Sequence, residues 1–504
     1  MTPLRLTWVQ PEDLLGHELH QAEEDGREPS AITARWHRAG GPHSPQRAGA
    51  SPQPASPYLR TLAQDLLDEL ADLPSRLKDR EPTTLPRIQA LCPNWPTTVG
   101  GTSLTAVGNR SAGAERVGTA DPSQSSGGVG AAPPPSGRGG LGEEKPALTP
   151  TTLHPRLEAA WLGRAAGCLL GKPVEKLPLD GIRQLARATG NWPLTTWFTE
   201  RGLPPDLKAT HPWNRRSATT SLAENIDGMP EDDDLNYPLL NLLLLQRHGK
   251  HFTTTDVARL WLDELPAGRT FTAERVAYRN LLDGIEPPHT ARHRNPFREW
   301  IGALIRADAH GWTNPGAPAT AAEQAHRDAT LTHTANGVYA AMFTAAAIAE
   351  AATGTTDIHA CLRTGLTVVP PDSRLARAVR QAIQLAQEHR DFDTVVDELH
   401  ATHAAYHWVH AIPNTALLAA ALTHADGDFT ASICRVVSGG WDTDSNGATA
   451  GSITGLLAGD PEAIPSRWTT PLKNRLATSI GDFNGTGFDT LADLTAQLAT
   501  RPTT

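Results

Sequence analysis

Two ladders of glycine constrain this chain more than any other feature. Gly447, Gly451, Gly455 and Gly459 recur every four residues, and Gly163, Gly167 and Gly171 repeat the same period far upstream. On a helix, residues four apart share a face, so each ladder makes a groove without side chains. A glycine inside a helix costs about 1 kcal/mol relative to alanine. Carrying that cost repeatedly points to another helix packed very close. The two ladders are expected to face each other, the alternative being that each packs on some other element.

The remaining patterns also predict helices. Hydrophobic residues make up 39% of the chain but aromatics only 5%, so alanine and leucine must fill the core. Residues 235–247 are apolar almost all round, as in a buried core helix. Helical periodicity recurs over 335–352, 375–388, 416–422 and 488–498, and no run alternates as a strand would. An all-α, many-helix domain over 151–504 is the expectation. Before it, 1–96 reads as a small helical accessory region without chemistry. Its clearest helix carries Leu62, Leu66, Leu67, Leu70 and Leu73 at helical spacing. Between them, 97–150 is rich in Gly, Ser and Pro and reads as a disordered linker.

Charge and cysteine usage narrow the function. A net charge of -10 argues against general nucleic-acid binding, which wants a basic face. Cys92, Cys168, Cys361 and Cys434 lie far apart, so they form neither a zinc signature nor a disulfide framework. The longest apolar runs, 239–245 and 345–352, are too short to span a bilayer, and no signal-peptide pattern opens the chain. A cytoplasmic protein without a membrane segment is expected.

Two acidic stretches demand explanation. Asp442 and Asp444 lie two residues apart in the glycine-led loop before the second ladder. Glu231-Asp232-Asp233-Asp234 forms an acidic run just ahead of the apolar 235–247 stretch. One or two acids would satisfy a helix dipole; four, together with a second acidic loop, suggest hard oxygen ligands for a cation. The loop half-matches a calcium EF-hand through Asp442, Asp444, Asn446 and Gly447. The bidentate glutamate due at the twelfth position is Ile453, which excludes that site. His400, His403, His407 and His410 fall at helical spacing and are expected to share a polar helix face. Ala404 stands where a zinc protease would place its glutamate.

Three separated segments, in order, resemble the ADP-ribosylglycohydrolase family. They are the glycine helix running from Gly163 through Gly171 to Lys172-Pro173-Val174-Glu175, the run Glu231–Asp234, and Gly439-Gly440-Trp441-Asp442-Thr443-Asp444-Ser445. The run resembles the family's Thr-Asp-Asp-Thr motif, with Glu231 and Asp234 in place of threonines. The last segment resembles its Gly-Gly-Asp-Thr-Asp-Thr motif, with Trp441 inserted and Ser445 replacing the final threonine. Residues 331–337 look like the family's mid-domain histidine segment. The resemblance implies an all-α hydrolase with two divalent cations, Mg²⁺ or Mn²⁺, in a central cleft. Glu231, Asp232, Asp233, Asp442, Asp444 and Ser445 would be metal ligands, with Asp234 as the alternative to Glu231. Glu175, Asp233 and Asp444 would be catalytic. The backbone at Gly439 and Gly440, together with His333 and Asn336, would contact substrate. The substrate would be an ADP-ribosylated protein or small molecule. A binuclear nucleotide phosphohydrolase and a non-catalytic ADP-ribose binder are the rival readings.

Overall fold

The computed structural model describes residues 9–43, 54–99, 102–103, 149–214 and 217–501. Most of the linker expected at 97–150 lies outside them. The described residues form an all-α fold, whose one strand pairing joins Thr98–Val99 to Thr102–Ser103.

The fold is assembled around the two glycine ladders. The opening glycine helix, Pro150–Gly171, begins at a capping box in which Thr149 and Thr152 exchange side-chain and backbone hydrogen bonds. The closing glycine helix, Thr443–Ala458, starts at Asp442 and stops at Gly459, whose left-handed φ of 78° few other residues would accept. The two ladders interlock. A Cβ on Gly167 would overlap the Gly447 carbonyl, and one on Gly447 would overlap the Gly167 carbonyl; Gly163 and Gly451 stand in the same reciprocal relation. Gly171 meets Thr443 and Gly455 meets Ala159 in the same way. Backbones this close leave no room for side chains, which is the return on the helical cost of glycine.

Other helices wrap this pair. Asp233–His248 is buried from Leu235 through Leu242, as its apolar sequence predicts. Ala335–Ala351 and Ala411–Ala425 are likewise buried almost all round. Tryptophans wedge between elements: Trp161 and Trp312 pack with ring centroids 4.5 Å apart. Their indole N–H groups donate to Thr495 and Ser452, both at 3.1 Å.

The N-terminal helices Pro11–Glu24, Ser30–Arg38, Pro57–Asp72 and Leu85–Leu91 are bound to the rest of the fold by buried charges. Arg298 donates to Glu18 at 2.6 Å and to Asp25 at 2.7 Å. Arg374 holds Glu81 at 2.7 Å and Glu299 at 2.8 Å. Nothing in the local pattern of 1–96 announces these pairs, since each partner lies hundreds of residues away.

The histidine expectation needs correction. The helix Phe392–Thr402 ends before His403, so the four histidines do not share one helix face. His410 instead caps Ala411–Ala425, accepting from the Ile412 N–H at 3.1 Å, and His407 stacks on Trp300 at 4.2 Å.

Candidate metal centre

The acidic motifs meet at the end of the interlocked pair. Gly171 closes the opening helix against Thr443, whose hydroxyl donates to the Gly171 carbonyl at 2.8 Å. The chain then turns through Lys172–Val174 and delivers Glu175 beside the first turn of the closing helix. One oxygen from each of Glu175, Asp442 and Asp444 lies within 4.8 Å of the others. Asn214 donates to Glu175 at 2.6 Å and Lys176 pairs with it at 2.5 Å. Asn414 pins the loop, accepting from the Asp442 N–H at 3.1 Å and from the Asn446 amide at 2.6 Å. Ser445 is buried in the same turn.

A second group stands alongside, in which ligand atoms of Cys168, Asp232 and Asp234 fall within 4.8 Å of one another. Asp232 is the N-cap of its helix and accepts from the Asp234 N–H at 3.0 Å. The fully buried Arg164 lies behind it, donating to the Asp234 carbonyl at 2.8 Å and pairing with Asp308 at 3.0 Å. Asp233 is half-buried and feels the charges of Asp232, Asp444 and Glu175.

Carboxylates outnumber cations here, and the proton affinities register it. Burial, then the neighbouring Glu175 and Asp232, raises Asp444 to about 7. Burial and neighbouring carboxylates likewise hold Asp233, Asp234 and Asp442 well above the usual carboxylate range. Asp232 goes the other way: burial pushes it up, but contact with the Lys172 ammonium outweighs that and lowers it. A hard divalent cation fits such a set, because it would replace mutual repulsion by shared oxygen ligation.

Several site residues read from the sequence are placed elsewhere or engaged otherwise. Glu231 points away from both groups, pairing with Arg269 at 2.8 Å and accepting from Ser479. Of the two candidates in that run, Asp234 is the one that faces inward. The Gly439 and Gly440 N–H groups close the last turn of the helix Phe429–Ser438, bonding the Arg435 and Val437 carbonyls. Those amides are therefore spent and not open to a phosphate. Asn336 donates to Glu81 at 2.8 Å and Glu299 at 3.0 Å while accepting from the Leu375 N–H at 3.0 Å. Its amide is fully committed to the interior. His333 is wholly buried, with Nδ1 at 2.6 Å from the Thr332 hydroxyl.

The structure also adds residues. Trp441, the insertion before Asp442, adopts a left-handed φ of 57°, a strained conformation for a bulky side chain. His400 stacks on it at 4.1 Å and bonds the Gly439 carbonyl at 2.8 Å, so this histidine supports the acidic loop. Lys172, Arg164, Asn214 and Asn414 join the site as well. Of these, only Lys172 and Arg164 lie inside a recognised motif.

A family model for ADP-ribosylglycohydrolases matches residues 149–503. The chain belongs to the ADP-ribosylglycohydrolase family. Its relatives include an uncharacterized protein of Archaeoglobus fulgidus, 26% identical over 315 residues, which cover 62% of this chain and 90% of that protein. A solved ADP-ribosylglycohydrolase-related protein complex is also similar, at 21% identity and a TM-score of 0.45, covering 69% of this chain and all of that one. ADP-ribosylglycohydrolases are hydrolases that act on ADP-ribosylated substrates and generally depend on divalent metal. Among the described residues, no helix is long and apolar enough to cross a membrane.

Proposed function

We propose that this chain hydrolyses the glycosidic bond between ADP-ribose and a protein or small-molecule acceptor, using Mg²⁺ or Mn²⁺. The observation that carries this reading is the convergence of Glu175, Asp442 and Asp444, within the field of Asp232 and Asp233, in an ADP-ribosylglycohydrolase domain. Asp442 and Asp444 would hold the cation, with the Ser445 hydroxyl as a further oxygen ligand. Bound there, a divalent cation supplies an electrophile for ribose hydroxyls and lowers the pKa of water.

The chain's own groups do the rest. Glu175 is the proton acceptor, and its carboxylate also stabilises the cation-like ribose formed as the bond breaks. Asn214 and Lys176 hold its two oxygens in one orientation. Asp233, half-buried at the first turn of its helix and within the field of Asp444 and Glu175, would orient the ribose side of the substrate. Asn414 and Thr443 fix the acidic loop against the opening helix, so the carboxylates are positioned before substrate arrives. The four cysteines are buried and free, which favours a reducing, cytoplasmic setting.

The test is a panel of arginine-linked, serine-linked, nucleic-acid-linked and small-molecule ADP-ribose conjugates, assayed with Mg²⁺ and Mn²⁺. Release of free ADP-ribose, lost in Asp442→Asn, is the expected result. Phosphate or diphosphate release would favour a nucleotide phosphohydrolase. ADP-ribose binding without any turnover would leave only a binding role.

A further inference from the structure

The family resemblance implies two divalent cations, and the acids of this chain do form two groups. The groups are not equivalent. In the Cys168–Asp232–Asp234 group, the chain's own donors serve both oxygens of Asp232 and one oxygen of Asp234. Asp232 accepts from the Asp234 N–H with one oxygen and contacts the Lys172 ammonium with the other. Asp234 accepts from the Cys168 thiol at 3.6 Å and faces Arg164 at 3.7 Å. In the Glu175–Asp442–Asp444 group, among the described residues, the ammonium paired with a carboxylate is that of Lys176, on Glu175, a side chain 38% exposed where that of Lys172 is 9% exposed.

We infer that Lys172 takes the place of one of the two cations, so that this site holds a single divalent ion, at Glu175, Asp442 and Asp444. The inference rests on reading the cleft as a divalent-cation site. Three observations support it. Lys172 is 7% exposed and follows directly on Gly171, whose backbone is wedged against Thr443, so its Cα cannot retreat. Its ammonium pairs with Asp232 and also feels the charge of Asp444, so it answers to an acid of each motif. A buried ammonium is stable only with close anionic partners, and these acids are its partners. A divalent ion entering the first group would have to displace that ammonium from Asp232.

Counting bound ions tests this without reference to turnover. Native mass spectrometry and Mn²⁺ electron paramagnetic resonance are run on the full chain and on Lys172→Met, which keeps the side-chain length and removes the charge. The expected result is one magnetically isolated Mn²⁺ in the natural protein and two, exchange-coupled, in Lys172→Met. Two coupled ions in the natural protein would overturn the inference and leave the metal-dependent reading standing. So would a single ion in both proteins. No ion in either would overturn the metal-dependent reading itself. Should Lys172→Met fail to fold, the spectrum of the natural protein still decides between an isolated ion and a pair.

Discussion

The protein buries two kinds of carboxylate network, and they are built on opposite plans. In the interior network, Arg306 donates to Asp328 at 2.8 Å and to Glu274 at 3.0 Å, and His310 approaches Asp328 at 3.2 Å. Burial pushes Asp328 up, but Arg306 and His310 outweigh it and hold this acid at about 2. At the interlocked helix ends, Asp442 and Asp444 lie beside Glu175 and Asp232, and Asp444 is raised to about 7. Both networks are buried; the difference is whether the chain supplies the countercharge. A balanced network serves the fold, whereas an unbalanced one is relieved by taking up protons or a cation.

Breaking the balanced network should have the largest effect. Arg306→Met would strand Asp328 and Glu274 and is expected to cost about 3–5 kcal/mol, read as a lower urea midpoint. A loss below about 1 kcal/mol would show that the network is dispensable.

Relieving the unbalanced network should act with the opposite sign. Asp444→Asn is expected to stabilise the metal-free protein by on the order of 2 kcal/mol, while abolishing the rise in melting temperature on adding Mn²⁺. Asp328→Asn should destabilise under the same conditions. Equal signs for the two variants would erase the distinction.

The pH dependence follows from the same contrast. Between the ordinary value of 3.8 and about 7, the folded protein holds a proton on Asp444 that the unfolded chain has lost. Stability of the metal-free protein should therefore fall as pH rises through that window. Saturating Mn²⁺ should flatten or reverse the slope, because the cation replaces the proton. The contribution of Asp328 has the other sign: it is present above 3.8 and lost as pH falls toward about 2. Melting temperatures across pH 4–8, with chelator and with Mn²⁺, check the first, and their extension down to pH 2 checks the second.

The smallest effect concerns the acid set apart. Arg269→Ala breaks a half-exposed pair with Glu231 and should cost less than about 1 kcal/mol, leaving Mn²⁺ affinity unchanged in a titration. A loss of affinity would return Glu231 to the metal site.

Much of this was legible in residue order. The matching period of Gly163–Gly171 and Gly447–Gly459 predicts a backbone-close helix pair, and the structure interlocks those ladders. The all-α fold and the buried character of Asp233–His248 follow from apolar periodicity. The histidine spacing misled, because three- and four-residue intervals persist whether or not the helix continues past Thr402. Asn336 lay within a motif, yet its amide answers to Glu81 and Glu299, which no local pattern announces.

By itself, then, the sequence determined the helical fold, the pairing of the two glycine helices and the meeting of two acidic motifs at their ends. Each is written in a short repeat or a short motif, and local geometry is enough to read it. Only the tertiary structure decided that Asp234 rather than Glu231 turns inward, that Lys172 lies among the acids, and that the N-terminal helices are bound by buried ion pairs. Those outcomes depend on side-chain direction and on partners far away in the chain. Charge balance at a buried site is a sum over such neighbours, and spacing along the chain does not contain it.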